Sequence, residues 1–205
     1  MARKQPPALR LTLRALAHLL SYPDPTLRAH LPELADALHA EQALPAARLA
    51  ELQALCRQLA GMDRYDAEER YVETFARGRQ CSLLLFEHVH GDSRERGEAL
   101  VDLMKSYVSA GLKFSANELP DHLPAVLEFA STQEPALARA FLQETAHILN
   151  ALFTALAMRN SPYASVVAAV LELAGESPQR VEIPPEPDLD EAWAEPAAFD
   201  GMQRG

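Results

Sequence analysis

Glycine, cysteine, positive charge and long apolar runs are all scarce in this chain. Eight glycines in 205 residues are too few for a fold built on tight turns between strands, and the abundance of Leu and Ala favours helices. The two cysteines, Cys56 and Cys81, stand far apart in no CxxC or zinc spacing, which excludes a disulfide framework and a thiolate metal site. No stretch approaches the ~20 apolar residues that a spanning helix needs. The basic opening MARKQPPALR is not followed by a continuous apolar segment with a small-residue cleavage site. A soluble, cytoplasmic protein is expected. Lys and Arg number 19 against 29 Asp and Glu, a formal net charge of -10. Such a surface repels nucleic acid and anionic lipid, and the short clusters Arg77–Arg79 and Arg94–Arg96 do not form a basic stripe. An acidic surface attracts a basic partner segment instead.

What the chain does have is helical period. Leu9, Leu13, Leu16 and Leu20 step by three and four until Pro23 stops the run. Asp24 or Pro25 opens a second helix with Leu27, Leu31, Leu34 and Leu38 on one face. A third spans about Pro45 to Gly61 with Leu49, Leu52, Leu55, Cys56 and Leu59 inward, so Cys56 is expected to be buried. A fourth carries Tyr65, Tyr71, Val72 and Phe75 and ends by Gly78. Leu83 to Phe86 make an apolar turn or short helix. Asp92-Ser93-Arg94-Glu95 has the form of an N-terminal cap for a helix with the stripe Leu100, Leu103, Met104, Tyr107 and Val108, which Gly111 stops. After the break KFSANELPDHLP come a helix over Ala125 to Ser131, a long one from about Pro135 to Arg159, and a last one ending at Gly175. The pattern predicts an all-α single-domain helical bundle over residues 1–175. Residues 176–205 hold five of the 15 prolines and eight acidic residues against Arg180 and Arg204. They are expected to form an extended acidic tail, whose Trp193 and Phe199 could dock on the body.

Two stretches carry groups that could do chemistry. In LLLFEHVHGDSRERG, Glu87, His88 and His90 stand together. An HxH pair in an extended segment can bind metal, but on a helix two residues apart the rings diverge, and no third ligand has recognisable spacing. Within NELPDHLP, Glu118, Asp121 and His122 lie between prolines. Locally this is a rigid linker in which Asp121 caps the next helix; the alternative is a hinge beside a groove that presents its polar groups to a ligand. There is no GxSxG elbow, no Cys–His pair and no phosphate loop, so residue chemistry favours a non-enzymatic binding module without a cofactor. The competing reading is a helical metal-dependent hydrolase or oxygenase using His88, His90 and His122.

Longer stretches carry a resemblance. YVETFARGRQCSLLLFEHVHGDSRERGEALVDLMKSYVSAGL followed by NELPDHLPAVLEF resembles the delta-subunit chaperones of respiratory nitrate reductase, the NarJ family, within the TorD-like helical maturation chaperones. LLSYPDPTLRAHLPEL, SPYA and WAEPAAF fit the same pattern in the same order. The resemblance implies a cytoplasmic, all-helical chaperone without turnover that binds the N-terminal segment of the catalytic subunit. It would hold that apo subunit competent for molybdenum-cofactor insertion and for assembly with its membrane partner. It also implies contact with the proteins that deliver the cofactor, and none with nucleic acid or the bilayer interior. Glu118, Leu119, Pro120, Asp121, His122 and Leu123 correspond to the family's hinge motif, and Phe86, Glu87, His88, Val89, His90 and Gly91 to its other signature. These residues and Tyr107 are the expected client-peptide contacts, apart from Val89 and Gly91. One departure stands at Ala76, where the family commonly has Asp.

Overall fold

The computed structural model describes residues 8–90, 94–113 and 118–183, and within them the chain forms eleven helices. α1 (Arg10–Leu19) and α11 (Ala164–Ala174) are the centre. Eight residues of α11 are buried, from Val166 to Ala174, as expected of a helix apolar on every side. It touches α1, α4 (Ala46–Gly61), α9 (Pro135–Glu144) and α10 (Ala146–Met158), while α1 also packs on α3 (Leu31–Ala40) and α8 (Leu123–Ser131). Glu41, just past α3, closes the start of α1. Its carboxylate accepts from the Leu11 and Thr12 amides at 2.9 and 2.8 Å and from the Thr12 hydroxyl at 2.8 Å. It thereby satisfies donors that a helix N-terminus leaves open.

The second expected helix is two. α2 (Pro25–Ala29) is capped by Asp24, whose side chain accepts from the Leu27 amide at 2.7 Å, and α3 restarts after His30. Pro32, at the second position of α3, has no N–H to continue the ladder, which forces the break. The long helix expected over 135–159 is likewise divided at Thr145 into α9 and α10. The Thr145 hydroxyl donates to the Leu142 carbonyl at 2.8 Å, a local bond that competes with the helix ladder.

On α5 (Arg64–Phe75), Ala67, Tyr71 and Phe75 turn inward, while Tyr65 and Val72 are exposed. Tyr71 and Phe75 form an aromatic cluster with Tyr163, and the Tyr71 hydroxyl donates to the Leu20 carbonyl at 2.8 Å. Ala76 is the C-cap of α5, so the departing position lies at a helix end. Cys56 is buried, as its place on α4 requires. The acidic tail begins as a strap: after Gly175 (φ +88) closes α11, the Gln179 and Val181 amides donate to Asn150 Oδ1 (2.8 Å) and Thr154 Oγ1 (3.0 Å) of α10. Trp193 and Phe199 lie outside the described residues.

Candidate functional site

The two signature stretches, 35 residues apart in the chain, are joined by backbone. Leu84 and His122 form an isolated antiparallel bridge; the Leu123 amide donates to the Leu83 carbonyl at 2.8 Å, and the Leu85 amide to the Asp121 carbonyl at 3.1 Å. Asp121 is fully buried. Its Oδ2 accepts from the Phe86 amide at 3.0 Å, so the carboxylate caps α6 (Leu85–His90) from outside the segment. The expectation that Asp121 caps the helix following it is therefore corrected. His122 occupies the N-cap place of α8 and its side chain makes no capping bond. The bridge turns the Asp121 side chain toward the start of α6 instead. Asp121 Oδ1 has no hydrogen-bond partner among the described residues, and burial raises its pKa, opposed by the Phe86 amide and the nearby Arg96 guanidinium.

A polar network extends from this cap. Glu87 accepts from the Ser82 hydroxyl at 2.5 Å and pairs with Arg96 at 3.3 Å, both side chains being largely shielded. His88 Nε2 donates to the Ser82 carbonyl at 2.9 Å, and the His90 ring meets Phe86 edge-on at 5.9 Å. Being two apart on α6, the histidines have separate partners. His122 is half-buried, and desolvation lowers its pKa. No group of three His, Cys, Asp or Glu side chains able to hold a metal ion forms among the described residues, so the metal-hydrolase reading finds no assembled ligand set in His88, His90 and His122. The expected cap at Asp92 and Ser93, and Gly91 of the signature, fall outside the described residues.

α7 (Arg94–Ser109) follows, and here the structure departs most from the sequence pattern. Of its apolar stripe only Tyr107 is buried; Leu100, Leu103 and Met104 are half-buried and Val108 is 61% exposed, as is Val101 beside it at 53%. Tyr107 fastens the helix to the hinge. Its hydroxyl donates to the Pro120 carbonyl at 2.7 Å, its ring lies 4.6 Å from that of Phe129, and burial raises its pKa. Leu100, Val101, Met104 and Val108, with Leu119 and Pro120, line a largely apolar groove of about 520 Å³, to which Lys105 and Ser109 also contribute. Helical spacing places Glu98 and Asp102 along one edge of it, and Asp102 pairs with Lys105 at 2.9 Å.

Of the expected contact residues, Glu118 and Leu119 are exposed; Pro120, Asp121, Leu123 and Tyr107 are buried; Phe86, Glu87, His88, His90 and His122 are half-buried. Only Leu119 and Pro120 of that set line the groove. Sequence reasoning passed over Leu100, Val101, Met104 and Val108 as groove residues because an amphipathic helix has the same pattern whether its stripe is covered or open.

Residues 20–169 match the family described as nitrate reductase delta subunit. The chain belongs to that family. It is 43% identical to the nitrate reductase molybdenum cofactor assembly chaperone NarJ of Escherichia coli (strain K12) over 164 residues, 80% of this chain and 70% of the relative. A Bacillus subtilis (strain 168) relative bearing the same chaperone name is 32% identical over 165 residues, 79% of this chain and 87% of the relative. Among solved structures, a protein from Archaeoglobus fulgidus named for redox enzyme maturation superposes with a TM-score of 0.59 at 20% identity, covering 86% of this chain and 99% of that one. This last likeness concerns the fold alone, which is the all-helical fold of the family. No described helix is long and apolar enough to cross a membrane.

Proposed function

We propose that this family member is a cytoplasmic assembly chaperone for respiratory nitrate reductase. It binds the N-terminal segment of the catalytic subunit as an amphipathic helix in the α7 groove and keeps the apo subunit ready for molybdenum-cofactor insertion and for its partner subunits. The observation that carries this reading is the apolar face of α7 beside Leu119 and Pro120, which no described residue covers. A solvent-facing apolar surface of this kind marks an interaction site, and a helix laid in a groove is a standard way to fill one. Glu98, Asp102 and Glu118 supply carboxylates near it that favour a client with basic residues beside its apolar ones. Asp121, Tyr107 and the 86–90 segment act as positioning residues: they fix the hinge and hold α7 at the body. Turnover of a substrate has no part in this reading.

Calorimetric titration with a synthetic peptide of the client's N-terminal segment tests it. Val101→Asp and Val108→Asp alter exposed side chains, so the fold is retained. Each removes a buried apolar contact on binding and places a charge in the interface, and affinity is expected to fall about tenfold or more. Unchanged affinity in both variants, with unchanged circular dichroism, refutes the groove.

A further inference from the structure

α1 carries basic side chains on the side it turns away from the core. Arg10, Arg14 and His18 follow one another at intervals of four, so they share one side of the helix, about 6 Å apart along its axis. That side borders a pocket of about 380 Å³. Lys113, just past the Gly111 stop of α7 (φ +80), lines the same pocket. Among the described residues none of these four side chains forms an ion pair or a hydrogen bond, although Glu118 and Glu128 also border the pocket. Arg10, Arg14 and Lys113 outnumber those carboxylates on a chain of net charge -10. Ala125 and Phe129 of α8 are buried and, with Leu112, give the pocket an apolar part; the Tyr107 ring backs that of Phe129 at 4.6 Å. Other donors are spent. The Ser131 and Thr132 hydroxyls donate to the Glu128 and Phe129 carbonyls at 2.6 and 2.7 Å, and Glu41 takes the Leu11 and Thr12 amides at the start of α1. A ligand therefore meets the basic side chains first.

We infer that this pocket is a binding site for a small organic phosphate. A phosphate monoester carries a charge of about -1.5 to -2 and three strong acceptor oxygens, enough to engage cations supplied by two elements at once. A carboxylate, with one charge and two oxygens, is satisfied by a single guanidinium fork. The volume lies in the range of small-molecule pockets, and an acidic chain repels nucleic acid and anionic lipid, so the ligand is a free small molecule. Its phosphate lies against Arg10, Arg14 and Lys113, and its organic part against Leu112, Ala125 and Phe129. No residue of this pocket lines the α7 groove, so the site goes beyond client binding and stands or falls without it.

Titration of the isotope-labelled full chain, followed by its amide resonances, tests the site with phenyl phosphate, inorganic phosphate and benzoate as probes. Phenyl phosphate is expected to move the resonances of Leu112, Phe129 and Thr132 saturably and to bind about fivefold more tightly than either other probe. Arg10→Gln/Arg14→Gln alters exposed side chains only and is expected to weaken phenyl phosphate about tenfold or more. Glu128→Gln removes an opposing charge and is expected to tighten it about twofold to threefold. Val101→Asp, which disables the α7 groove, leaves phenyl phosphate binding unchanged, so loss of the client reading and loss of this site are told apart. Equal affinity in the double Arg variant overturns the site. So do shifts scattered over other basic side chains that vanish at about 0.15 M salt. Benzoate binding as tightly as phenyl phosphate overturns the phosphate assignment, and inorganic phosphate doing so overturns the organic part of the ligand.

Discussion

Asp121 offers the sharpest test of how the hinge is held. The carboxylate is fully buried, caps α6 through the Phe86 amide at 3.0 Å, and leaves Oδ1 without a described partner. Truncation by Asp121→Ala orphans a partly shielded N–H, which costs about 1–3 kcal/mol. It also weakens the field that compensates Arg96, whose side chain is 16% exposed and whose Nε has no partner among the described residues. Relief of the buried charge offsets part of this, leaving a net loss of about 1–2 kcal/mol, or about 3–6 °C in Tm for a domain of this size. Asp121→Asn keeps an acceptor for Phe86 and removes the charge, so it is expected to match or exceed the parent at neutral pH. Burial raises the folded-state pKa above the ordinary 3.8. The contribution of Asp121 to stability is therefore fully present below about 3.8 and is lost as pH rises through the folded value. The advantage of the Asn variant over the parent must accordingly grow as pH rises from about 4 through the folded value. Urea unfolding followed by circular dichroism measures all three proteins. An Ala variant as stable as the parent, or an Asn variant as weak as Ala, refutes the assignment of the carboxylate as an acceptor for α6.

Two further outcomes follow from single residues. His122 has a pKa lowered by burial from 6.5, so its stabilising contribution is present above 6.5 and lost as pH falls through the folded value; His122→Gln should flatten the decline of the urea midpoint below about pH 6.5, and an unchanged decline contradicts this. Gly175 holds φ +88 at the end of α11, where an added Cβ would meet only the Arg139 side chain, Cδ at 3.8 Å and Nη1 at 3.9 Å; Gly175→Ala should cost about 1 kcal/mol through backbone strain alone, and a thermal midpoint that does not fall rules that strain out.

Much of the bundle was legible in the sequence because caps and stops are local. Asp24, Pro25 and Gly175 act where the chain pattern places them, and the stripe of α4 is buried as expected. The breaks at His30 and Thr145 escaped notice because the apolar spacing runs through them with little disturbance; one depends on Pro32 and the other on a single hydroxyl. The candidate site was legible as a set of residues but not as an arrangement. That Asp121 serves α6 and not α8 depends on the bridge between Leu84 and His122, a non-local contact with no signature in either segment. The open stripe of α7 depends on what does not pack against it, which no periodicity records.

The bridge between Leu84 and His122 also sets an energetic partition. With Leu85 and Leu123 tied across it, residues 86–120 become a detour bracketed at both ends, closed by backbone hydrogen bonds at its base. Within the detour α7 sinks only Tyr107 into the body. A ligand on its open face therefore gains contacts without dismantling the centre built on α1 and α11. The length and composition of the detour can drift while the frame stays the same, because lengthening a closed loop costs little. If α7 holds the client as proposed, the tightness of binding and the stability of the fold are adjusted by different residues.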